Sequence, residues 1–460
     1  MQGIAWMLAR LLRCRLSRTA VAAGLLLPHL ILAPWIVGER LVLPTSVIQR
    51  MFPGSPPGDV DYRHRILNDT VYQFIPWEIE VRRSLGQGRL PLWSDRIDGG
   101  SSPWANPQAE VLSPVALLGR LVPVEHSPLT KLVLKMLLAL QGTWVLARLL
   151  GAAKGASVIA GAGFAAGGGI VAWGLFPHTG AVAWAPWLVA VVIRLVRRPC
   201  SRYLVTTSGV TAVLVLSGHP EIAFASGLLA ALCGVSLARR GAWLRGVAAA
   251  AIAAALGVGL AAPHVLPFLW AAGQSQRVEE KMVTLSLTRP VVWHQPHTWF
   301  VGQQGLLILQ PTNPRALGTP YTDPPPTPHH WTIPGSVYSG LVVFGGVAAA
   351  LVLRRRRYLP FWLYAAVGLG LSMRFVVVER LLDTTPGLQL IAVNRILPVV
   401  SLCLCVLASA GITRLLGRRT GRADRIAVLG AAGVSLAVAF SAWVLLLWIV
   451  LIGSLAIGGK

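Results

Sequence analysis

The feature that most constrains this chain is the alternation of long apolar runs with short clusters of arginine. The arginines gather at Arg10, Arg13, Arg15 and Arg18, at Arg194, Arg197, Arg198 and Arg202, and at Arg239, Arg240 and Arg245. They gather again at Arg354 to Arg357, and at Arg414, Arg418, Arg419, Arg422 and Arg425. A spanning helix needs about 20 mostly apolar residues, and the clusters fall on alternate connections between runs of that kind. This is the positive-inside pattern, in which Lys and Arg mark cytoplasmic loops. The net charge of +24 therefore encodes membrane orientation, and a nucleic-acid partner is not expected. With 54% hydrophobic and 13% charged residues, the composition belongs to a polytopic membrane protein.

The spans read as Thr19–Val37, Leu129–Leu150, Ser157–Phe176, Ala181–Val196, Tyr203–Ser217, Ile222–Ala238, Leu244–Trp270, Gly335–Leu353, Tyr358–Phe375, Ile396–Leu416 and Ile426–Ile452. The fold class expected is an all-α polytopic membrane protein of about eleven transmembrane helices, with its N-terminus cytoplasmic. Residues 1–38 read as a cytoplasmic N-terminus and uncleaved signal-anchor helix. Residues 39–128 form a long first extracytoplasmic loop and 129–270 carry helices two to seven. Residues 271–334 form a second long outer loop, and 335–460 the C-terminal helices. Leu244–Trp270 holds Pro263 and Pro267 and is expected to kink near its outer end. Val71–Leu85 has helical spacing and reads as an amphipathic surface helix, and Val111–Leu121 as a second surface or re-entrant one.

Nine of the 17 acidic residues lie between Asp59 and Glu125, all in the first outer loop. Carboxylates at a bilayer edge are costly, so such a cluster marks a functional site. The five cysteines sit on cytoplasmic flanks or inside apolar runs, so no disulfide is expected. His294-x-x-His297 and His329-His330 lack cysteine partners and sit among prolines, so no metal site is expected.

Within the loop, Asp69 is followed by Gln73-x-x-Pro76-Trp77, then by Gly88-Arg89-Leu90-Pro91-Leu92-Trp93, Gly99-Gly100 and Asn106-Pro107-Gln108. Ser217-Gly218-His219-Pro220-Glu221, His264-x-x-Pro267 with Ser275-x-Arg277, and Asn394-Arg395 follow later. Together these closely resemble the corresponding segments of YfhO-like bacterial membrane proteins, of the GT-C class of polyprenyl-phosphate-sugar glycosyltransferases. His264 stands where that family usually has Gln. The likeness runs from about Asp69 to Gly411.

The resemblance implies a GT-C-like fold and an inner-membrane enzyme whose active site faces outward. Its donor would be a polyprenyl-phosphate sugar, its acceptor a cell-envelope glycan or lipid, and no cofactor is needed. Asp69 matches the position of the catalytic acid of the first outer loop. A carboxylate suits the task of removing a hydroxyl proton; as an alternative, Asp69 caps the helix that follows. Gln73, Trp77, Asn106 and Gln108 are the expected substrate-binding residues of the loop, and Trp93 and Trp104 are further surfaces on which a sugar can stack.

His219 and Glu221 form a histidine–carboxylate pair at a span junction, where Pro220 breaks the helix. Arg277 and Arg395 lie on the outer side against the charge trend, which a bidentate grip on phosphate would explain, as would pairing with an outer carboxylate such as Glu279 or Glu379. Asp98-Gly99-Gly100 reads as a turn, and Glu110 as a sugar contact or helix cap. Two other classes fit the composition: a flippase or transporter of lipid-linked sugars, and a non-catalytic envelope-assembly subunit. The absence of an internal repeat and the placing of polar residues in outer loops favour an enzyme over a transporter.

Overall fold

The computed structural model describes residues 18–38, 69–275, 337–351, 353, 355–372 and 393–417. These residues are helical, and no strand occurs among them beyond an isolated antiparallel bridge between Ser94 and Ser101. The helices are α1 (Arg18–Val37), α2 (Ile75–Gly86), α3 (Pro114–Gly119), α4 (Ser127–Leu149), α5 (Lys154–Ala165), α6 (His178–Arg197) and α7 (Ser201–Val215). They continue as α8 (Pro220–Leu237), α9 (Trp243–Leu260), α10 (Ala262–Gly273), α11 (Leu341–Ala350), α12 (Leu359–Ser372) and α13 (Leu397–Leu415). Among the described residues, five segments are long and apolar enough to cross a membrane: α4, α6, α8, the Arg240–Leu260 stretch containing α9, and α13. The expected span Ile426–Ile452 and the second outer loop's Arg277 lie outside the described residues.

Two helices form the centre. α6 packs against α4, α7, α8 and α9, and α13 packs against α5, α11 and α12. The α4–α6 crossing is close because a glycine permits it. A Cβ at Gly142 would stand 2.6 Å from Trp187 Nε1 and 2.9 Å from Pro186. Trp187 is fully buried there, and its indole N–H donates to Leu138 O at 3.0 Å. Small residues that admit a neighbouring helix are the usual device where lipid offers no hydrophobic drive to association. A polar tie joins the two halves, with Tyr364 Oη donating to Ala225 O at 2.7 Å, and within the α13 half the Ser339 and Ser401 hydroxyls bond at 2.7 Å.

Three expected spans take a different form. The run Ser157–Phe176 does not continue as one helix: α5 stops at Ala165, and residues 166–177 proceed through turns. Gly167, Gly168 and Gly169 follow at once, and glycine costs a helix about 1 kcal/mol per residue. Carbonyls freed by this unwinding are met by Lys135, a buried lysine of α4 whose Nζ donates to Gly174 O at 3.2 Å and Phe176 O at 3.0 Å. The run Leu244–Trp270 divides at Ala261 into α9 and α10. The Pro263 carbonyl would take its helical hydrogen bond from residue 267, which is proline and has no N–H. Lastly, α11 covers only Leu341–Ala350 of the run Gly335–Leu353.

Candidate functional site

The first loop has its own small core. Phe74, Trp77, Val81, Ile97, Ala109 and Val111 pack with Trp173 and Phe176 of the unwound segment. Trp77 is a wall of this core, in ring contact with Phe74 at 5.8 Å, so it is a packing residue here and not a stacking surface. Beneath it lies an ion network centred on Glu78, which is 3% exposed. Glu78 meets Arg82 at 2.9 Å, Arg120 at 3.2 Å and Lys131 at 3.7 Å. Burial opposes its ionisation, but Lys131, Arg120 and Arg82 outweigh that and hold its carboxyl below the usual range. Arg82 also donates to the carbonyls of Gly119 and Arg120 at the C-terminus of α3, and to that of Val122 just beyond it. Arg120 does the same for Ala109, Glu110 and Val111.

Asp69 stands at the head of this assembly, directly before a single π-helical turn, Thr70–Phe74, that runs into α2. Such turns often occur at functional sites. Its carboxylate makes no bond to the backbone of the turn, so the capping alternative is not realised. It accepts a long hydrogen bond, 3.5 Å, from Gln73 Nε2. Burial pushes the Asp69 carboxyl above its usual range, against the pull of the Arg395 guanidinium, which favours the charged form.

Arg395, from the 3₁₀ turn Val393–Ile396 that leads into α13, joins two distant parts of the chain. Its Nη1 donates to Glu221 Oε2 at 2.9 Å and lies 2.5 Å from His219 Nε2. His219 is the N-cap of α8 and Glu221 lies in its first turn. His219, Glu221 and Arg395 are thus brought together from the α7–α8 junction and the entry to α13, with Asp69 of the first loop within reach of the Arg395 charge.

Other expected residues take other places. The Asn106 carboxamide oxygen accepts from the backbone N–H of Gln108 at 2.9 Å, so it serves its own turn as an N-cap. The side chain of Gln108 is half-buried. Trp93 is 66% exposed and covers Gly100, where a Cβ would meet its ring at 2.9 Å. Asp98, Gly99 and Gly100 all have positive φ and form the turn read from the sequence. Trp104 donates its indole N–H to Pro263 O at 2.8 Å, filling the vacancy left by Pro267. Glu110 is buried, 3.8 Å from Lys131, and its Oε1 has no hydrogen-bond partner among the described residues.

No family model, curated protein or solved structure matches the chain.

Two site neighbours escaped the sequence reading. His178, the first residue of α6, is buried with its ring 5.8 Å from that of His219, edge to face. Lys135 is the other, and its signal was plain: a lysine inside an apolar run is costly and marks something to be satisfied.

Proposed function

We propose that the chain is a glycosyltransferase of the GT-C kind, a multi-pass inner-membrane protein of about eleven spans whose site faces outward. The observation that carries this reading is the Arg395–His219–Glu221 cluster, with Asp69 within electrostatic reach of its guanidinium. A base for a hydroxyl proton and a fork for a phosphate are the two groups that transfer from a lipid-phosphate sugar requires. The distribution of arginines along the sequence supports the orientation, and the five apolar helices support membrane residence.

In this reading the donor is a polyprenyl-phosphate sugar and the acceptor a hydroxyl of an envelope glycan or lipid. Asp69 takes the acceptor proton as the acceptor oxygen bonds to the anomeric carbon from the face opposite the phosphate. The carbon–phosphate oxygen bond breaks, its electron pair leaves with polyprenyl phosphate, and the anomeric configuration inverts. Arg395 stabilises the charge gathering on the leaving phosphate, and Glu221 and His219 hold the guanidinium in place.

The test is incubation of the purified protein in lipid nanodiscs with radiolabelled polyprenyl-phosphate sugars and envelope acceptors. Label on the acceptor with inverted configuration is expected. A reconstituted protein that carries labelled lipid across the bilayer and transfers none of it would replace the enzyme with a transporter.

A further inference from the structure

The other end of the helix bundle gathers charges that the transferase reading does not use. Three half-buried arginines meet there: Arg148 in the last turn of α4, Arg197 closing α6, and Arg357 in the 3₁₀ turn Arg356–Tyr358 before α12. The turn between α4 and α5 draws them in. Arg148 donates to Ala152 O, and the Arg357 guanidinium lies against Gly151, where a Cβ would stand 2.8 Å from Nη1. Gly151 has φ +85, a conformation that favours glycine, so the turn presents bare backbone to the guanidinium. Tyr358 Oη donates to Leu150 O at 3.2 Å, and the Ala153 N–H donates to Thr413 Oγ1 at 2.8 Å. Those two bonds tie α12 and α13 to the same turn. Arg197 lies within electrostatic reach of Arg357 and of Arg194, one turn before it.

Like charges brought together at the edge of a low-dielectric bundle repel one another strongly. The C-terminal dipoles of α4 and α6 each favour a cation, which accounts for Arg148 and Arg197 singly but not for their meeting with Arg357. Every carboxylate among the described residues lies within 69–125 or at Glu221. Glu125 precedes α4, whose 23 residues put its two ends roughly 34 Å apart. Glu221 opens α8, and it is Cys233, near the far end of that helix, that neighbours Arg197. The Nε of Arg357 is buried with no hydrogen-bond partner among the described residues. An anion with several oxygens offsets the repulsion and meets the open donor, and phosphate matches the guanidinium fork.

The surroundings indicate where that anion comes from. α4 and α6 are long and apolar enough to cross a membrane, so their ends lie at the level of lipid headgroups. Leu351 after α11, Leu359 at the start of α12 and Leu416 after α13 are each more than three-fifths exposed. We propose that Arg148, Arg197 and Arg357 bind the headgroup phosphate of an anionic phospholipid, in the leaflet opposite the Asp69–Arg395 site. The acyl chains of that lipid cover the exposed leucines. A soluble phosphate offers the same oxygens but leaves those leucines bare. Membrane residence is required for this site, and the transferase reading is not.

Native mass spectrometry of the full chain, released from nanodiscs of mixed phosphatidylglycerol and phosphatidylcholine, counts the lipids that stay bound. Wild type should retain phosphatidylglycerol in clear preference to phosphatidylcholine. The double variant Arg197→Gln/Arg357→Gln should weaken that retention by about tenfold or more, since each arginine near a lipid surface contributes on that scale. Arg239→Gln/Arg240→Gln removes equal charge from the exposed α8–α9 connection and should leave retention within about twofold. Arg357→Lys should fall between wild type and the double variant, because it keeps the charge and loses the fork. Phosphatidylglycerol with a diazirine beside its headgroup should label wild type within 148–153, 194–198 and 355–358, a readout that needs no variant. Equal losses in the two double variants would reduce the arginines to general surface charge and overturn the proposal. So would labelling confined to other segments, or retention of both lipids alike. Displacement of the lipid by inorganic phosphate at equal concentration would make this a site for a soluble anion and overturn the lipid as its ligand.

Discussion

Arg395 Nη1 and Glu221 Oε2 lie 2.9 Å apart, joining the turn before α13 to the first turn of α8 across 174 residues of chain. The contact places a fixed guanidinium beside His219 and within electrostatic reach of Asp69. Because Glu221 is spent on holding Arg395, the proposed transfer gives it a positioning role and leaves proton acceptance to Asp69. The cluster combines one cation with two carboxylates, so in the proposed reaction an arriving phosphate would compete with Glu221 for the same fork. That competition gives the site an empty state in which Arg395 is held and a loaded state in which it is shared.

Charge removal at Arg395 should weaken binding of polyprenyl phosphate by about 1.5–3 kcal/mol, the scale of a hydrogen bond to a charged group. Arg395→Lys should recover only part of this, since an ammonium lacks the planar fork. Glu221→Gln should leave more affinity than Arg395→Ala, because it loosens the guanidinium without deleting it. Lipid titration of the three variants in nanodiscs checks the order, and unchanged affinity in Arg395→Ala would take Arg395 out of the site.

The Glu78 network predicts a sensitivity to acid. Its carboxyl is held below the usual range in the fold, so its stabilisation is complete above the unfolded value of about 4.3. It is lost as pH falls from there through the lower folded value. Glu78→Gln should lower stability near neutral pH by about 3–5 kcal/mol, because Arg82, Arg120 and Lys131 then lose their buried counter-charge. Below pH 4 the gap between variant and wild type should narrow. Thermal melts of the purified protein across pH 3–7 measure both, and a gap that stays constant with pH would show that Glu78 does not carry the acid response.

The division of the chain into apolar helices was legible because lipid demands long unbroken apolar runs, and α4, α6, α8 and α13 lie within three residues of their expected starts. The shortness of α5 was not, since Gly167–Gly169 count as apolar in a hydropathy reading while they unwind a helix. The residue types of the site were visible one at a time, but the Arg395–Glu221 contact is set by packing across the bundle, which no local pattern encodes. Asn106 illustrates the limit from the other side. A carboxamide in a polar loop reads equally as ligand or as cap, and only the bond to Gln108 N decides between them.

Trp104 should control how α10 sits against the first loop. Its indole N–H meets the Pro263 carbonyl that Pro267 leaves open. Trp104→Phe keeps the ring and removes the donor, at a cost of about 0.5–1.5 kcal/mol, the net worth of a typical hydrogen bond. Faster amide exchange is expected in α10 but not in α6, whose polar ties are elsewhere. Hydrogen–deuterium exchange read by mass spectrometry distinguishes this local release from general loosening, which would raise exchange in both helices.

The orientation carries its own check. Cys200 is exposed just beyond α6, beside the cytoplasmic arginine cluster of the sequence reading. A membrane-impermeant thiol reagent on whole cells should therefore miss Cys200 and label a cysteine placed at Asp98, in the exposed turn of the first loop. Labelling of Cys200 with protection at position 98 would invert the topology and put the site in the cytoplasm.

Asp69 carries the functional claim, and its environment sharpens the test. The carboxylate makes no capping bond, so neither Asp69→Asn nor Asp69→Ala should lose helix-cap stability. Burial raises its pKa, which means the folded protein disfavours the charged form, and at neutral pH both variants should be as stable as wild type or slightly more so. Transfer should nevertheless fall by a factor of about 10² or more, the scale of general-base catalysis. The pH profile gives the second readout. Wild-type kcat/KM should rise along an acid limb placed above the usual carboxylate range, as Asp69 loses its proton. Arg395 favours the charged form, so in Arg395→Gln the limb of the residual activity should move to higher pH. A variant Asp69→Asn that keeps near-normal transfer, or an acid limb that stays in place when Arg395 is neutralised, would show that another group takes the proton.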